Sequence, residues 1–208
     1  MTTSILLPSL DSDYLDELLP QIRGPDREIV VCSPYEPPAD CVWVKDVSLE
    51  GNNSATRMAF EKSTGDVIVC LADDITIGPG WLEEGMKLLE PRDCIVSLSP
   101  GAPNFCFGLL YANCPLCSRE TVERYWNRFY PYRAHWGDPA FSLAVWESGG
   151  KVVATKPLII YRQRFGHPET PGKSAAFNGD CEAFLDHFPG LAKKWLRENW
   201  RAFNHPGL

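Results

Sequence analysis

Two adjacent aspartates follow an apolar run in the first half of the chain. The run at 67–71 is rich in β-branched residues and is typical of a buried strand, and Asp73 and Asp74 come just after it. Aspartate is common in turns, so a polar turn is the plain structural interpretation. Paired carboxylates at the end of a strand also suit Mg²⁺ or Mn²⁺, which take their other ligands from phosphate and water. The residues by themselves leave both interpretations open.

A third carboxylate, Asp138, stands before Pro139 where a helix is predicted to begin. Aspartate before proline is a favourable N-cap, and capping explains the dipeptide without catalysis. A carboxylate at a helix N-terminus can also act as a general base, because the helix dipole favours its ionised form. Asp138 is therefore a candidate for taking a proton from an attacking hydroxyl group.

Short apolar runs alternate with helical patterns around the first two aspartates. Strands are predicted at 5–7, 28–32, 41–44 and 67–71, and helices around 14–19, at 53–63 and at 80–89. This alternation predicts βαβ units, and therefore an α/β fold with a mostly parallel central sheet flanked by helices. Ligands of such sheets bind at the carboxyl ends of the strands, which is where Asp73 and Asp74 stand.

The second half of the chain has a less regular pattern. Strands are predicted at 95–98 and at 107–111, with 114–117 as an extension of the second. A helix is predicted from 119 with Ser118 as its cap, another at 138–149, then an extended stretch at 152–161, a loop at 162–180 and a final helix at 181–203. No repeat or linker interrupts this pattern. We therefore expect a single domain from 1 to 208 that ends in a C-terminal helix.

The composition favours one globular domain outside membranes. A hydrophobic content of 44% over 208 residues is enough for a substantial core. We see no apolar run of about 18 residues, so no membrane span is predicted. We also see no basic leader, so the protein is expected in the cytoplasm with its scattered cysteines as reduced thiols. The net charge of -7 argues against a basic coat for nucleic acid, but residues 1–104 carry -11 and residues 105–208 carry +4. This asymmetry predicts different ligands for the two halves.

Three segments, in order, resemble the family 2 glycosyltransferases of the GT-A fold. GNNSATRMAFEKSTGDVIVCLADD is similar to the family's glycine-led helix, Gly-Asp pair, strand and acidic metal motif, and GWLEEGMKLLE is similar to the helix that follows. GDPAFSLAVWESGG is similar to the acidic catalytic motif, with Asp138 eleven residues before Gly149. The resemblance runs from residue 3 to about residue 168. It implies a single GT-A domain in which 1–104 binds a UDP- or GDP-linked sugar, 105–180 binds the acceptor, and 181–208 forms the C-terminal helix and tail.

The resemblance also implies a divalent cation, Mn²⁺ or Mg²⁺. Asp74 would be the metal ligand of the DxD-type motif and Asp73 its middle residue, and His167 would complete the metal shell. The cation would neutralise charge on the departing nucleoside diphosphate. Ala72 stands where the motif has its first acid, so fewer charges would face the cation.

Further donor-site residues are implied by the same resemblance. Pro8 and Ser9 occupy the nucleotide-binding turn after the first strand. Glu36 is the nearest carboxylate in the loop after the second strand. Arg57 is a cation that would reach the diphosphate.

The implied activity is an inverting hexosyl transfer with Asp138 as base. The family usually has a second acid just before this position, and Gly137 replaces it here.

Two other functions stay open. A catalytically inactive nucleotide-sugar-binding protein is compatible with Ala72 and Gly137. A nucleotidyltransferase shares the general architecture, although no glycine-rich loop followed by Arg and Lys stands near the first strand.

The segment RYWNRFYPYRAHW, at 124–136, interleaves arginines with aromatic residues just ahead of Asp138. Its acceptor-site candidates are Trp126, Arg128, Arg133 and Trp136. Aromatic faces stack on sugar rings or bases, and arginines favour an anionic acceptor. An aromatic core segment with solvated arginines is the ordinary alternative. A phosphate-bearing glycan or lipid-linked sugar is the expected acceptor, and a hydroxylated base in phage-type DNA is the second.

One cysteine pair has the spacing of metal ligands. Cys114 and Cys117 form a CxxC pair, which Cys94 and Cys106 would complete to four zinc ligands. A structural zinc site usually shows two close pairs, so buried thiols are the expected state and zinc is the alternative.

Overall fold

The structure, a computed structural model, describes residues 1–98, 104–129, 132–162 and 173–190. The strands are β1 (Thr3–Pro8), β2 (Arg27–Ser33), β3 (Val42–Lys45), β4 (Val67–Cys70), β5 (Ile75–Ile77), β6 (Cys94–Ser97), β7 (Asn104–Cys106), β8 (Leu109–Tyr111), β9 (Pro115–Ser118), β10 (Lys151–Ala154) and β11 (Ile159–Tyr161). The helices are α1 (Ser12–Ile22), α2 (Asn52–Lys62), α3 (Trp81–Leu88), α4 (Arg119–Phe129), α5 (Gly137–Glu147) and α6 (Lys173–His187).

Seven strands form one central sheet in the order β10-β6-β9-β4-β1-β2-β3. Strands β4, β1, β2 and β3 run parallel to one another and β10 runs parallel to β6, whereas β9 lies antiparallel between β4 and β6. The predicted α/β fold with a mostly parallel sheet is therefore confirmed. Leu6 of β1 pairs with Val30 of β2 and Cys70 of β4, so the carboxyl ends of these strands open on one edge.

Two apolar cores cover the opposite faces of this sheet. Leu7 and Val69 point into the core that includes α1 and α3, whereas Leu6 and Ile68 point into the core that includes α2 and α5. All four side chains are fully buried. Burial on both faces explains why these strands have nearly continuous apolar sequences.

Two predicted strands in the second half are wrong in detail. Residues 107–111 are not one strand, because β7 and β8 form a hairpin whose turn contains Phe107 and Gly108. Both turn residues have positive φ, 52° and 76°, which a continuous strand does not allow. The predicted extension at 114–117 is also wrong, because β9 belongs to the central sheet and not to this hairpin. The extended stretch at 152–161 is divided between β10 of the central sheet and β11, which pairs antiparallel with β5.

The predicted loop at 162–180 is wrong in its last part, because α6 begins at Lys173. Gly179 lies inside this helix, where a glycine costs roughly 1 kcal/mol relative to alanine. Phe184, further along α6, is fully buried beside Tyr132 in a third apolar cluster. Tertiary packing of this kind supplies most of the stability of a helix and outweighs one glycine.

The predicted helix at 181–203 is interrupted at Phe188, because residues 189 and 190 are again helical. Helix α6 ends at His187, two residues before Pro189. Proline disfavours the helical conformation of the residue before it, which accounts for the end. Residues 191–203 lie outside the described residues.

The starts of α4 and α5 differ in their capping. The Ser118 hydroxyl accepts a hydrogen bond from the backbone N–H of Thr121 at 3.2 Å, which confirms the predicted cap of α4. Helix α5 begins at Gly137, and its N-cap is Trp136 in the left-handed conformation with φ of 64°. Asp138 therefore lies within the first turn, and its interpretation as an N-cap is wrong.

The cysteines are dispersed through the fold, and all eight are free thiols. Cys94 and Cys114 lie in the core that includes α1 and α3, Cys117 lies in the core on the other face, and Cys106 packs against the third cluster. Within the described ranges, no group of three or more His, Cys, Asp or Glu side chains is placed to hold a metal ion. The alternative zinc site is therefore not formed.

The same ranges contain no helix that is long and apolar enough to cross a membrane.

Candidate active site

A first cavity, of about 290 Å³, opens at the carboxyl edge of the sheet. Parallel strands that end together leave the residues after them side by side, and these residues form much of the wall. The start of α2 and a segment ahead of α5 complete it. The lining residues are Pro8, Ser9, Leu10, Cys32, Asp46, Leu49, Gly51, Asn52, Ala55, Ala72, Asp73, Asp74, Ala134, His135 and Tyr161.

The two adjacent aspartates have different environments in this cavity. Asp73 is buried, and its Oδ2 accepts a hydrogen bond of 2.8 Å from the Ser9 hydroxyl. Asp74 is half-buried, and its backbone carbonyl accepts a hydrogen bond of 2.7 Å from the backbone N–H of Arg162, just after β11. Asp73 is therefore tied to the turn after β1, and Asp74 is tied to the end of β11.

The residues at this wall fit a hard divalent cation. Mg²⁺ and Mn²⁺ at substrate sites use one or two carboxylates and take their other ligands from phosphate and water. Asp74, with Asp73 beside it, supplies that number of carboxylates at the wall of the cavity. His167, the predicted third ligand, lies outside the described residues.

Asp46 is a further carboxylate of the first cavity, and the sequence analysis did not identify it as a site residue. It follows β3, is 4% exposed and lines the first cavity. Its Oδ1 accepts hydrogen bonds of 2.9 to 3.1 Å from the backbone and hydroxyl of Ser48 and from the backbone of Leu49. The rule that assigned the end of β4 to a ligand site applies equally to β3, so this carboxylate had a usable signal.

A second cavity, of about 230 Å³, adjoins the first. Its lining residues are Asn53, Tyr111, Asn113, Ala134, His135, Trp136, Gly137, Asp138 and Pro139. Ala134 and His135 line both cavities. The aspartate pair of the first cavity and Asp138 of the second therefore flank a common wall.

Burial raises the pKa of Asp138 to about 7. The cause lies in α5, which is apolar on nearly all sides and has buried residues from Pro139 to Val145. The carboxylate in the first turn of this helix is half-buried and loses part of its hydration. A carboxyl group with a pKa near neutrality is well matched to general-base chemistry.

Two tyrosines lie within the electrostatic influence of the site's carboxylates, Tyr161 of both Asp138 and Asp74, and Tyr111 of Asp138. Burial raises the pKa of Tyr161 above its usual range, and the charges of Cys114, Asp138 and Asp74 add to that effect. Burial, followed by Asp138, raises the pKa of Tyr111 to about 12. Both phenols therefore stay protonated and can donate hydrogen bonds. Sequence reasoning did not single them out, because a tyrosine in a strand carries no site signal.

The start of α2 packs against the wall shared by the cavities. The Arg133 carbonyl accepts hydrogen bonds from the backbone N–H groups of Asn53 and Ser54, at 3.0 and 3.3 Å. The Asn53 amide donates to the His135 carbonyl at 3.2 Å. A Cβ on Gly137 would lie 2.7 Å from that amide nitrogen. Asn53 therefore fills the space beside position 137, which gives a packing reason for glycine there.

The predicted donor-site residues are placed differently. Pro8 and Ser9 line the first cavity. Glu36 is exposed and lines neither cavity. Arg57 is half-buried on α2, forms an ion pair of 3.9 Å with Glu61, and lines neither cavity.

The predicted acceptor-site residues are also divided. Trp136 is half-buried and lines the second cavity. Arg133 is exposed and lines neither cavity, although its backbone belongs to the shared wall segment. Trp126 and Arg128 belong to α4, but their side chains are outside the described part of the structure.

Three solved structures of similar architecture contain a nucleotide sugar or a nucleoside diphosphate. The mannosyltransferase PcManGT from Pyrobaculum calidifontis, in complex with GDP-Man and Mn²⁺, has a TM-score of 0.59 at 13% identity, over 98% of this chain and 81% of that chain. TarS 1–349 from S. aureus, in complex with UDP-GlcNAc, has a TM-score of 0.60 at 12% identity, over 96% and 76%. Glucosyl-3-phosphoglycerate synthase from Mycobacterium tuberculosis, in complex with Mn²⁺, UDP and glucosyl-3-phosphoglycerate, has a TM-score of 0.60 at 15% identity, over 89% and 79%.

The chain has the GT-A fold. The architecture that the three sequence segments implied is thereby confirmed. Identities of 12 to 15% show the fold alone. No protein-family model matches the chain, and no curated protein matches its sequence.

The raised pKa of Asp138 predicts a pH-dependent stability. The folded protein binds one more proton than the unfolded chain between the ordinary pKa of 3.8 and the folded pKa of about 7. Stability from this group is therefore complete below the lower value and is lost as the pH rises through about 7. Asp138→Asn removes the titration, so the variant should gain stability relative to the wild type by more than about 1 kcal/mol between pH 5 and pH 8.

Urea unfolding at the two pH values measures this difference. Glu147→Gln, an exposed carboxylate at the other end of α5, is the matched control and should show no comparable gain. An equal response of the two variants would show that Asp138 is not desolvated.

Proposed function

We propose that this chain is a glycosyltransferase that moves a sugar from a nucleoside-diphosphate donor to an acceptor hydroxyl, with Mn²⁺ or Mg²⁺ and with inversion. The observation that carries the proposal is the pair of adjoining cavities. One contains the Asp73–Asp74 pair, the other contains Asp138, and Ala134 and His135 line both. The similar solved structures, which contain GDP-Man, UDP-GlcNAc or UDP, support the donor class.

The first cavity is assigned to the donor. Asp74 would hold the cation, which when bound neutralises charge on the leaving diphosphate. Ser9 and the buried Asp73 hold each other through their hydrogen bond and keep the turn after β1 at the cavity wall. Pro8 ends β1 and lines the same wall. The nucleotide would therefore lie along the carboxyl ends of the parallel strands, as ligands do in such sheets.

Asp138 is assigned the role of general base. The acceptor oxygen forms a bond to the anomeric carbon of the donor sugar while its proton passes to the Asp138 carboxylate. The bond from the anomeric carbon to the diphosphate oxygen breaks, and the nucleoside diphosphate leaves with the electron pair. A pKa of about 7 keeps the carboxylate basic enough to accept that proton and sufficiently ionised at neutral pH.

The second cavity is assigned to the acceptor, and its lining favours a sugar. The amides of Asn53 and Asn113 and the hydroxyl of Tyr111 can hydrogen-bond to several hydroxyl groups, and Trp136 offers an aromatic ring. Its volume is about 230 Å³. One sugar ring of a glycan or lipid-linked sugar suits this space.

A catalytically inactive nucleotide-sugar-binding protein is the second candidate. Ala72 leaves fewer carboxylates near the cation than the related motif has, and the packing of Gly137 on Asn53 leaves no room for a second acid. Both candidates bind the donor. Only the enzyme cleaves it, so hydrolysis or transfer of a UDP- or GDP-sugar distinguishes them.

Removal of Asp74 should abolish metal-dependent donor binding. In a thermal shift assay, UDP or GDP should stabilise the wild-type protein with Mn²⁺ or Mg²⁺ and should lose most of that effect in EDTA. Asp74→Ala should show little metal-dependent shift, whereas Asp16→Ala, an exposed aspartate on α1, should behave as the wild type. Equal nucleotide binding with and without EDTA would mean that the aspartate pair is only a turn.

Removal of the base should separate binding from turnover. Asp138→Asn should keep the nucleotide thermal shift and lose transfer by about 10²-fold or more, the usual scale for a general base. The wild-type kcat/KM should fall below pH of about 7, because protonated Asp138 cannot accept a proton. Rates should be measured from pH 5.5 to 8.5 for both proteins. Near-normal turnover in the variant, or a flat wild-type profile, would remove this role.

The acceptor class can be tested with sugars and DNA in parallel. We expect neutral sugars to accept the transferred sugar or to bind in saturation-transfer NMR, and we expect Trp136→Ala to weaken both signals. Salt-sensitive binding to single- or double-stranded DNA at low ionic strength, lost in Arg128→Ala, would favour the hydroxylated base instead, since phosphate contacts depend steeply on salt.

A further inference from the structure

We propose that Asp180 is a positioning residue that holds the wall shared by the two cavities in its working conformation. This inference rests on the proposed function, because the wall lies between the donor and the catalytic base. Asp180 lies on α6, is 3% exposed, and lines neither cavity. It therefore acts on the reaction through residues 133–135, to which it is hydrogen-bonded.

Three consecutive backbone N–H groups converge on this one carboxylate. Oδ1 of Asp180 accepts a hydrogen bond of 2.9 Å from Arg133, and Oδ2 accepts bonds of 2.9 Å from Ala134 and 2.8 Å from His135. Hydrogen bonds to an ionised acceptor are shorter and about twice as strong as neutral ones. Ala134 and His135 are the two residues that line both cavities. The carboxylate thus fixes the backbone of the shared wall directly.

Helix α6 contacts the residues on both sides of this wall as well. The Tyr132 hydroxyl and Nδ1 of His187 lie 2.8 Å apart, and the rings of Trp136 and Phe184 stack with centroids 4.8 Å apart. Each residue of 132–136 therefore contacts α6. Among the described residues, the backbone N–H groups of this segment that bond to α6 are those of 133, 134 and 135, and all three bond to Asp180.

The opposite side of the segment is held by α2. The Arg133 carbonyl accepts the two N–H groups at the start of that helix, and the His135 carbonyl accepts from the Asn53 amide. A Cβ on Gly51 would lie 2.7 Å from the Arg133 carbonyl, so the approach is as close as the chain allows. The donors and acceptors of one short segment are thus satisfied from two directions.

This segment leads directly into the first turn of α5, where Asp138 lies. A change in the backbone at 133–135 would move the start of α5 and alter the lining of both cavities. Displacements of about 1 Å in catalytic geometry cost on the order of 10²-fold in rate. A buried carboxylate that fixes three successive peptide groups restricts such displacement.

Asp180→Asn is the sharpest test, because it keeps the shape and reverses part of the hydrogen bonding. One oxygen becomes an NH₂ group, so at least one N–H of the segment faces a donor instead of an acceptor. We expect amide hydrogen exchange at 133–135 to become at least ~10-fold faster, with exchange in β1 and β4 unchanged. Asp186→Asn, an exposed aspartate on the same helix, is the matched control and should leave exchange at 133–135 unchanged.

The kinetic readout distinguishes positioning from stability. In Asp180→Asn, UDP or GDP with Mn²⁺ should still produce the thermal shift seen in the wild type. The kcat for donor hydrolysis or transfer should fall at least ~10-fold, whereas KM for the donor should change by less than about 3-fold. Asp180→Glu keeps the charge in a displaced position and should lose less kcat than Asp180→Asn. It also provides the test if Asp180→Asn does not fold.

Each outcome decides a different point. Unchanged exchange at 133–135, or faster exchange with normal kcat, would overturn the positioning role. A wild-type protein that binds no nucleoside diphosphate would overturn the proposed function, and with it any catalytic meaning of Asp180. The exchange experiment would still decide whether the carboxylate holds the segment.

Discussion

Burial of β1 and β4 on both faces of the sheet is the constraint on which the rest of the structure depends. Leu6 and Ile68 face one core, and Leu7 and Val69 face the other, which fixes the register of the two strands. Because the strands are parallel and end together, the residues that follow them emerge side by side. The Ser9–Asp73 hydrogen bond and the position of Asp74 at the cavity wall are consequences of that pairing.

The character of Asp138 follows from the packing of α5. The helix is buried on nearly every side, so the first turn presents its carboxyl group in poorly hydrated surroundings and the pKa rises to about 7. Tyr161 and Cys114 are influenced by both Asp138 and Asp74, which shows that the two carboxylates act on the same small region. The electrostatics of the site are therefore set by the second half of the chain as much as by the first.

The segment 132–136 joins these two parts without regular secondary structure. Backbone groups that leave water must find partners, and this segment finds them in α2 and α6. Each helix thereby has a role beyond covering the core. Gly51 and Gly137 are explained in the same way, because a side chain at either position would meet the segment or its partner Asn53.

Local pattern determined the parallel sheet, the helices α2, α3 and α4, and the carboxylates at the end of β4, because periodicity and turn residues act over a few positions. The departures, at Phe107 and in α6, lie where long-range packing outweighed local propensity. Only the tertiary structure brought Asp138, Tyr161 and Asp46 to the cavities, since their approach depends on contacts between residues far apart in the chain. Asp180 is the clearest case. Its neighbours in sequence resemble a loop, and its role is visible only where three N–H groups from 133–135 meet its carboxylate.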